Sequence, residues 1–395
     1  MSLNNTPSSE RVHIAFFGRR NVGKSSLINA VTNQKLSIVS DVKGTTTDPV
    51  KKAMELLPLG PVVIIDTPGT DDVGELGKMR VEKTYEVLNM TDIAVIVADP
   101  ADGITSFEKD LIEKIEKKNI PYIIAWSKAD ISEHETKAKN EISTSAESGK
   151  NINELKELIA SLSGEIKPKG RIIADLVETG DIVVLVIPID EAAPKGRLIL
   201  PQQQTIRDLL DSHAGALCVQ TEELGDTLKK LGSAVKLVVT DSQAFAEVQK
   251  IVPENVPLTS FSILFARYKG NLRQNTEGAK MLDFLAGGDT VLISEACTHH
   301  RQCNDIGAVK LPKLIEKYTG KKINFEWTSG NEFPKALEKY KLIIHCGGCM
   351  INMSQMQSRL EQSKKAGVPM TNYGIALAKM NGILDRSIAV FNGIY

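Results

Sequence analysis

The sequence lacks several features that would assign a protein to a class at once. Its net charge is −1, from 48 lysines and arginines against 49 aspartates and glutamates. It therefore has no excess of positive charge for a nucleic acid or an anionic membrane. No apolar run approaches the roughly 18 residues of a membrane helix, and the polar residues 1–10 lack the apolar core of a signal peptide. These absences predict a soluble cytoplasmic protein that binds neither nucleic acid nor membrane.

Cysteine is also scarce, with five residues in a chain of 395. An odd count in a chain long enough to bury a core argues against a disulfide framework. At roughly 150 residues per domain, the length suggests two or three domains. Hydrophobic residues make up 42% and charged residues 25% of the chain, which is a globular composition and excludes a mostly disordered chain.

Apolar and charged segments divide the chain into three α/β blocks, residues 1–166, 171–254 and 258–395. In the first block, apolar strands alternate with amphipathic stretches, which predicts a parallel sheet covered by helices. The second block is small for an independent core, and its apolar segment 216–220 predicts a short strand with Cys218 buried. The third block is predicted to be a second doubly wound unit, with strands at 261–266, 290–294, 323–327, 342–344 and 368–370.

Residues 18–25 read Gly-Arg-Arg-Asn-Val-Gly-Lys-Ser and fit the phosphate-binding pattern of two glycines, a lysine and a hydroxyl. They follow a predicted strand and precede a predicted helix, as that pattern requires. Glycines let backbone N–H groups wrap phosphates, and the helix N-terminus adds positive potential. We expect Lys24 to reach the β and γ phosphates and Ser25 to ligate Mg²⁺.

Four further segments follow in the order found in GTPases: residues 44–48, 66–69, 127–130 and 145–147. Together with the phosphate loop they resemble the translation-factor-like small GTPases, in particular the tRNA-modification and ribosome-assembly branch. The resemblance covers about 160 residues and implies hydrolysis of GTP to GDP and phosphate with Mg²⁺. The catalytic residues it implies are Asn21, Lys24, Thr46 and Gly69.

The same resemblance assigns roles within the nucleotide site. Thr46 is the Mg²⁺-ligating switch threonine, Asp66 holds the metal through water, and the Gly69 amide touches the γ phosphate. Asp130 accepts two hydrogen bonds from guanine, the Lys128 stem packs on the base, and Ser145 and Ala146 close over it. The remaining nucleotide-binding residues are Gly18, Asn21, Val22, Gly23, Lys24, Ser25 and Ser26.

Two positions depart from that pattern. Ser127 stands where the base-reading segment normally begins with asparagine, although Asp130 is present and still predicts guanine selectivity. Thr70 follows Gly69 where a Ras-like protein has its water-orienting glutamine. In the resembling branch, an asparagine at the position of Asn21 helps to hold a K⁺ ion, which would supply the positive charge of an arginine finger.

Cysteine and histidine cluster at two strand ends in the third block. Cys297 and His299 follow one predicted strand, and His345, Cys346 and Cys349 follow another. Because the carboxyl ends of parallel strands line the ligand crevice, the two segments are expected to meet and form a metal site. Zinc and an iron–sulfur cluster are both compatible with this donor set. The free N–H groups of Gly347 and Gly348 favour the cluster slightly.

A phosphate-loop GTPase block, a small middle block and the C-x-H…H-C-x-x-C residues together resemble the HydF family of [FeFe]-hydrogenase maturation GTPases. This resemblance spans the whole chain. It implies a P-loop GTPase domain, an α/β dimerisation domain and an α/β [4Fe–4S] domain, in the order of the three blocks. It also implies a cluster on Cys297, Cys346 and Cys349. Candidates for the fourth ligand are His299, His345 and Asp305, and Cys303 could replace Cys297.

By this resemblance, the protein is a homodimeric scaffold that hydrolyses GTP. It receives a diiron precursor from radical-SAM maturation enzymes and delivers it to apo-[FeFe]-hydrogenase. The runner-up hypothesis is a ribosome- or tRNA-acting GTPase with a structural zinc site, which the first block alone would favour. A metal carrier with a vestigial nucleotide site is a third hypothesis. Intact Lys24, Ser25, Thr46 and Asp66 argue against it.

Overall fold

The structure is a computed structural model that describes residues 6–34, 49–69, 75–166, 170–189, 198–296 and 306–391. The chain divides into two compact units, residues 1–168 and 169–395. The expected domain boundaries at 166, 254 and 258 stay a prediction. Among these residues, no helix is long and apolar enough to cross a membrane.

The first unit contains one six-stranded sheet with the order β2-β3-β1-β4-β5-β6, in which only the β2–β3 pair is antiparallel. Its strands are β1 (Val12–Phe17), β2 (Val50–Leu56), β3 (Gly60–Asp66), β4 (Ile93–Ala98), β5 (Tyr122–Trp126) and β6 (Glu141–Ser143). Its helices are α1 (Lys24–Thr32), α2 (Glu75–Leu88), α3 (Ser106–Lys117) and α4 (Ile152–Leu162).

Burial on both faces explains why the central strands of the first unit are apolar without interruption. In β1, Ile14 and Phe16 pack into one core cluster, while Ala15 and Phe17 pack into another. All four side chains are fully buried. Parallel sheets covered by helices on both faces require such runs. The parallel sheet predicted for the first block is therefore confirmed, except that its edge strand β2 pairs antiparallel with β3.

The second unit contains two parallel four-stranded sheets, with the orders β10-β9-β7-β8 and β12-β11-β13-β14. Its strands are β7 (Ile182–Val186), β8 (Gly215–Val219), β9 (Val235–Thr240), β10 (Leu258–Ser260), β11 (Thr290–Glu295), β12 (Asn324–Ser329), β13 (Leu342–His345) and β14 (Met370–Asn372). Its helices are α5 (Leu200–Asp211), α6 (Leu224–Leu231), α7 (Phe245–Ile251), α8 (Phe261–Lys269), α9 (Leu272–Ala279), α10 (Leu311–Thr319), α11 (Met353–Lys365), α12 (Tyr373–Met380) and α13 (Leu384–Ala389).

The prediction of a strand at 261–266 is wrong, because this segment begins α8. The Ser260 hydroxyl accepts a hydrogen bond from the Ile263 N–H at 3.3 Å and so caps the helix. Phe261 and Phe265 pack into one core with β7 and with Ile375 of α12. Five of the six residues 261–266 are buried, so this part of the helix is apolar on most of its surface. A short apolar run of this kind cannot be told from a buried strand by its pattern.

The prediction that Cys218 is a core residue is also wrong. It lies on β8, an edge strand of its sheet, and it is exposed. Its neighbour Leu217 is 38% exposed. An edge strand leaves one row of backbone groups and part of its side-chain surface uncovered, so an apolar sequence there does not imply burial.

Helix α9 packs closely against β14 at Gly278, so a substitution at this position tests that packing. A Cβ atom at Gly278 would lie 2.1 Å from the Met370 carbonyl oxygen. We expect Gly278→Ala to lower the free energy of unfolding by about 3 kcal/mol, because helix and strand would have to separate. Urea unfolding followed by circular dichroism measures this.

Gly225→Ala in α6 is the matched control, since a Cβ there meets nothing closer than Ile251 Cγ2 at 3.7 Å. The better helix propensity of alanine should leave stability unchanged or raise it by up to about 1 kcal/mol. Equal effects of the two substitutions would contradict the packing described here.

Candidate functional site

The phosphate loop, residues 18–23, connects β1 to α1 in the first unit. Gly23 has a φ of +88° and Asn21 a φ of +62°, a left-handed conformation that glycine and asparagine adopt most readily. A Cβ atom at Gly18 would lie 2.6 Å from the Val97 carbonyl oxygen. Sequence and packing together thus shape a tight loop at the start of a helix, where backbone N–H groups can bind phosphate.

Three groups expected at the phosphates and Mg²⁺ meet at the carboxyl ends of β1 and β3. The buried Lys24 ammonium contacts the Asp66 carboxylate and the Thr67 carbonyl oxygen. The Ser25 hydroxyl lies 3.4 Å from Asp66 Oδ2. Phe16 pairs with Asp66 across the two strands, which explains how residues 41 positions apart come together. A hydroxyl and a carboxylate side by side are suitable ligands for Mg²⁺.

Gly69 lies against the phosphate loop, because a Cβ at this position would come within 2.9 Å of Arg20 Cα. Its amide is therefore near the segment that would carry the phosphates, as the resemblance implies. Ser26 is exposed, and Val22 is buried beneath the loop. Thr46 and Thr70 lie outside the residues that the structure describes.

Ser127, the departure from the usual asparagine, links the base-reading segment to the phosphate loop. Its hydroxyl contacts the Val22 carbonyl oxygen and lies 3.1 Å from that of Ala98. One hydroxyl proton satisfies one of these acceptors at a time. The serine thus connects the two loops with a side chain shorter than that of the usual asparagine.

The residues expected around the base also lie together. Asp130 accepts a hydrogen bond from the buried Ser145 hydroxyl, and Ala146 follows directly. Lys128 has a φ of +57°, and its ammonium lies 2.6 Å from Asp99 Oδ2. Burial acts to raise the pKa of Asp99, but Lys128, the Ala101 N–H and the charge of Arg19 together hold that pKa below its ordinary value. Sequence reasoning did not identify Asp99.

Arg19 of the phosphate loop forms ion pairs that sequence reasoning also did not identify. Arg19 donates to Glu108 Oε1 at 3.1 Å and to Asp102 Oδ2 at 2.9 Å. Glu108 is fully buried and also accepts from the Thr105 N–H at 3.1 Å, as part of a capping box at the start of α3. The T-x-x-E spacing of that box was visible in the sequence, but its arginine partner was not.

The cysteine loop, residues 346–349, follows β13 in the second unit. Cys346 Sγ accepts a hydrogen bond from the Ala296 N–H at 3.0 Å, and the Cys346 N–H donates to the Ser294 carbonyl at 2.9 Å. The loop therefore lies beside the end of β11, and Cys297 follows Ala296 directly in the sequence. Cys297, His299, Cys303 and Asp305 lie beyond the described part of the chain.

Two thiols of this loop, those of Cys346 and Cys349, are thus available to a metal or cluster. Burial raises the pKa of Cys349 to about 11, the neighbouring Cys346 adds to this, and Lys269 opposes it. Ligating thiols are deprotonated, so this pair needs positive charge nearby. Within the described ranges, no group of three cysteine, histidine or acidic side chains is close enough to hold a metal ion.

His345 is buried and is held at both ring nitrogens. Nδ1 lies 2.7 Å from the Cys346 carbonyl oxygen, and Nε2 lies 2.7 Å from the guanidinium of Arg359. Because a guanidinium can only donate, Nε2 accepts and Nδ1 carries the proton. To ligate iron through Nε2, His345 would have to give up its contact with Arg359.

Arg19 pairs with two carboxylates, one buried and one exposed, and substituting each in turn tests how the phosphate loop is held in place. We expect Glu108→Gln to lower the free energy of unfolding by about 2 kcal/mol, because it leaves a partly buried guanidinium facing a neutral group. Nucleotide affinity should fall with it, since the loop loses its anchor. Thermal unfolding and titration with a fluorescent guanine nucleotide measure both effects.

Asp102→Asn removes the exposed partner of the same arginine and should change stability by less than about 1 kcal/mol. If Asp102→Asn weakened nucleotide binding as much as Glu108→Gln, burial of Glu108 would not be the reason for the effect.

Comparison with known proteins relates the first unit to GTPases. Residues 13–128 match the family described as 50S ribosome-binding GTPase. A tRNA modification GTPase MnmE from Chromobacterium violaceum is 36% identical over 126 residues, 31% of this chain and 27% of that protein. The MnmE of Laribacter hongkongensis is 29% identical over 164 residues, 39% of this chain and 35% of that protein. The chain thus spans about a third of the length of these curated relatives.

Among solved structures, the chain is similar to Aquifex aeolicus Era bound to GDP.AlF4-, with 20% identity and a TM-score of 0.34. That match covers 56% of this chain and 98% of Era. The G domain of FeoB from T. maritima is 24% identical, with a TM-score of 0.30, over 39% of this chain and 99% of that domain.

The remainder of the chain matches two domains of one family. Residues 172–270 match the hydrogen maturase F dimerization domain, and residues 273–390 match the hydrogen maturase F tetramerization domain. These two models together span more than half of the chain, and they follow the residues that match the GTPase family. The chain carries a GTPase domain and belongs to the hydrogen maturase F family.

Proposed function

We propose that this protein hydrolyses GTP as a scaffold in [FeFe]-hydrogenase maturation. It would carry a [4Fe–4S] cluster, receive a diiron precursor from radical-SAM maturation enzymes and deliver it to the apo-hydrogenase. The observation that carries this proposal is the hydrogen bond from Ala296 to Cys346 Sγ. It sets the cysteine loop beside the residue that precedes Cys297, in a chain of the hydrogen maturase F family.

Cys346 and Cys349 would hold the cluster together with Cys297, and His299, His345 or Asp305 would supply the fourth ligand. The donor set fits, because thiolates are the usual ligands of iron–sulfur clusters. The Ala296 N–H already donates to sulfur, as N–H groups do around such clusters. When bound, a cluster with one open iron site would supply an attachment point for the precursor.

In the first unit, the backbone N–H groups of residues 21–25 would donate to phosphate oxygens. Lys24 would balance the charge that develops on the γ phosphate, and Ser25 and Asp66 would hold Mg²⁺ with Thr46. Asp130 would read guanine. Asn21 is exposed on the loop and would assist a K⁺ ion. Hydrolysis would change contacts between domains or partners by altering the order of the switch segments.

Lys24→Ala tests whether the nucleotide and metal sites are separable. We expect loss of measurable GTP binding, because the lysine expected to reach the β and γ phosphates is removed, with unchanged iron and sulfide content after reconstitution. Calorimetry with a non-hydrolysable GTP analogue and iron analysis measure the two. Loss of both together would show that the sites are coupled.

Cys346→Ser tests the cluster. After anaerobic reconstitution with iron and sulfide, the reduced protein should give a [4Fe–4S]⁺ EPR signal that Cys346→Ser abolishes, since serine replaces a required thiolate. Cys218→Ser is the matched control. Because Cys218 is exposed on β8, away from the cysteine loop in the sequence, its substitution should leave the signal intact.

About one tightly bound zinc per chain and no cluster would instead support a ribosome- or tRNA-acting GTPase with a structural zinc site. The hydrogen maturase F models for residues 172–390 favour maturation over that alternative.

Oligomer formation is expected from the dimerization and tetramerization domains of the family, and we propose a homodimer through residues 171–254. The edge strand β8 supports this, because Leu217 is 38% exposed on it and an uncovered edge can pair with a second copy.

Leu217→Asp should lower the mass measured by light scattering at micromolar concentration, because a charge at the paired edge is unfavourable. Leu57→Asp, in the hairpin turn of the first unit, replaces a leucine that is 79% exposed and should leave the mass unchanged. A monomeric wild-type chain would contradict the dimer.

A further inference from the structure

A buried arginine contacts His345, the residue that precedes the cysteine loop. Arg359 of α11 is 2% exposed. Its guanidinium lies 2.7 Å from the Gly330 carbonyl oxygen, 2.7 Å from His345 Nε2 and 3.4 Å from the Ser294 hydroxyl. It also stands over the Phe333 ring at 5.2 Å. Among the described residues, these partners are all neutral, although burying a cation is costly unless negative charge compensates it.

Negative charge for Arg359 is available at the cysteine loop. Ser294 and His345 pair across β11 and β13, and His345 precedes Cys346 in the sequence. Burial lowers the pKa of Arg359 to about 10, and the charge of the Cys346 thiolate acts in the opposite direction. The guanidinium lies 2.7 Å from His345 Nε2, so it contacts the residue that directly precedes the first thiol of the cysteine loop.

A second buried cation lies at the other end of the cysteine loop. Lys269 of α8 is 1% exposed. Its ammonium lies 3.4 Å, 3.5 Å and 3.2 Å from the carbonyl oxygens of Gly348, Cys349 and Ile351. By drawing these carbonyls inward, the lysine sets the course of the loop that carries both thiols.

We infer that Arg359 and Lys269 are positioning residues for an anionic iron–sulfur ligand set. Lys269 of α8 holds the cysteine loop itself, and Arg359 of α11 holds His345, which precedes it. Together they supply the positive charge that several thiolates require. This inference rests on the proposed function, because a cluster must bind for the charges to act on it. Neither residue belongs to the C-x-H…H-C-x-x-C pattern, and neither would touch iron.

The expected consequence is electrostatic. A nearby positive charge favours the reduced cluster, which carries one more negative charge than the oxidised cluster. Both cations should therefore raise the reduction potential, and removal of either should lower it. A purely structural role in packing would not produce a shift that depends on charge.

The experiment compares reconstituted full-length variants. Arg359→Gln and Lys269→Gln each remove one charge, and Arg359→Lys retains it. Arg273→Gln is the control, because Arg273 is an exposed arginine paired with Glu277 on α9. Iron and sulfide content, circular dichroism and an EPR-monitored redox titration are measured for each protein.

We expect a lower potential, or a reduced iron content in a folded chain, for Arg359→Gln and Lys269→Gln. Arg359→Lys should lie closer to the wild type, and Arg273→Gln should match it. Full iron content with an unchanged potential in both charge-removing variants would overturn the inference. If Arg359→Gln fails to fold, Lys269→Gln decides the question. Absence of a cluster in the unaltered chain would instead refute the proposed function itself.

Discussion

Each candidate site of this protein depends on the same constraint, which is that parallel strands bring their carboxyl ends to one edge of a sheet. In the first unit, the pairing of Phe16 with Asp66 sets the phosphate loop beside a carboxylate. In the second unit, the pairing of Ser294 with His345 sets the cysteine loop beside the segment that leads to Cys297. Backbone pairing along the strands thus positions groups that are far apart in sequence.

The second common feature is that charged side chains are partly or fully buried. Lys24 contacts Asp66, and Arg19 contacts the buried Glu108, so each of these two cations meets a carboxylate. At the cysteine loop, the described partners of Arg359 are neutral. Because buried charge is stable only when balanced, this difference is a reason to expect an anionic group beside the loop.

Much of the fold could be predicted because the strands of buried parallel sheets are continuous apolar runs. The exceptions have physical causes. Residues 261–266 are mostly apolar because five of the six are buried in α8. Cys218 has apolar neighbours in the sequence but lies on an edge strand and is exposed. An apolar pattern indicates that a segment favours burial. How many other elements cover that segment depends on the assembled fold and cannot be read from the pattern.

The sequence by itself determined the chemistry available: a glycine-rich loop followed by Lys24 and Ser25, a carboxylate at Asp130 where base recognition is predicted, and cysteines spaced as at Cys346 and Cys349. Each of these is a local pattern, since neighbouring residues share one turn or loop. Only the tertiary structure decided which cations serve those groups, such as Arg359 behind His345. Such partners come from separate elements, and their meeting depends on how helices pack across a sheet, which local spacing does not encode.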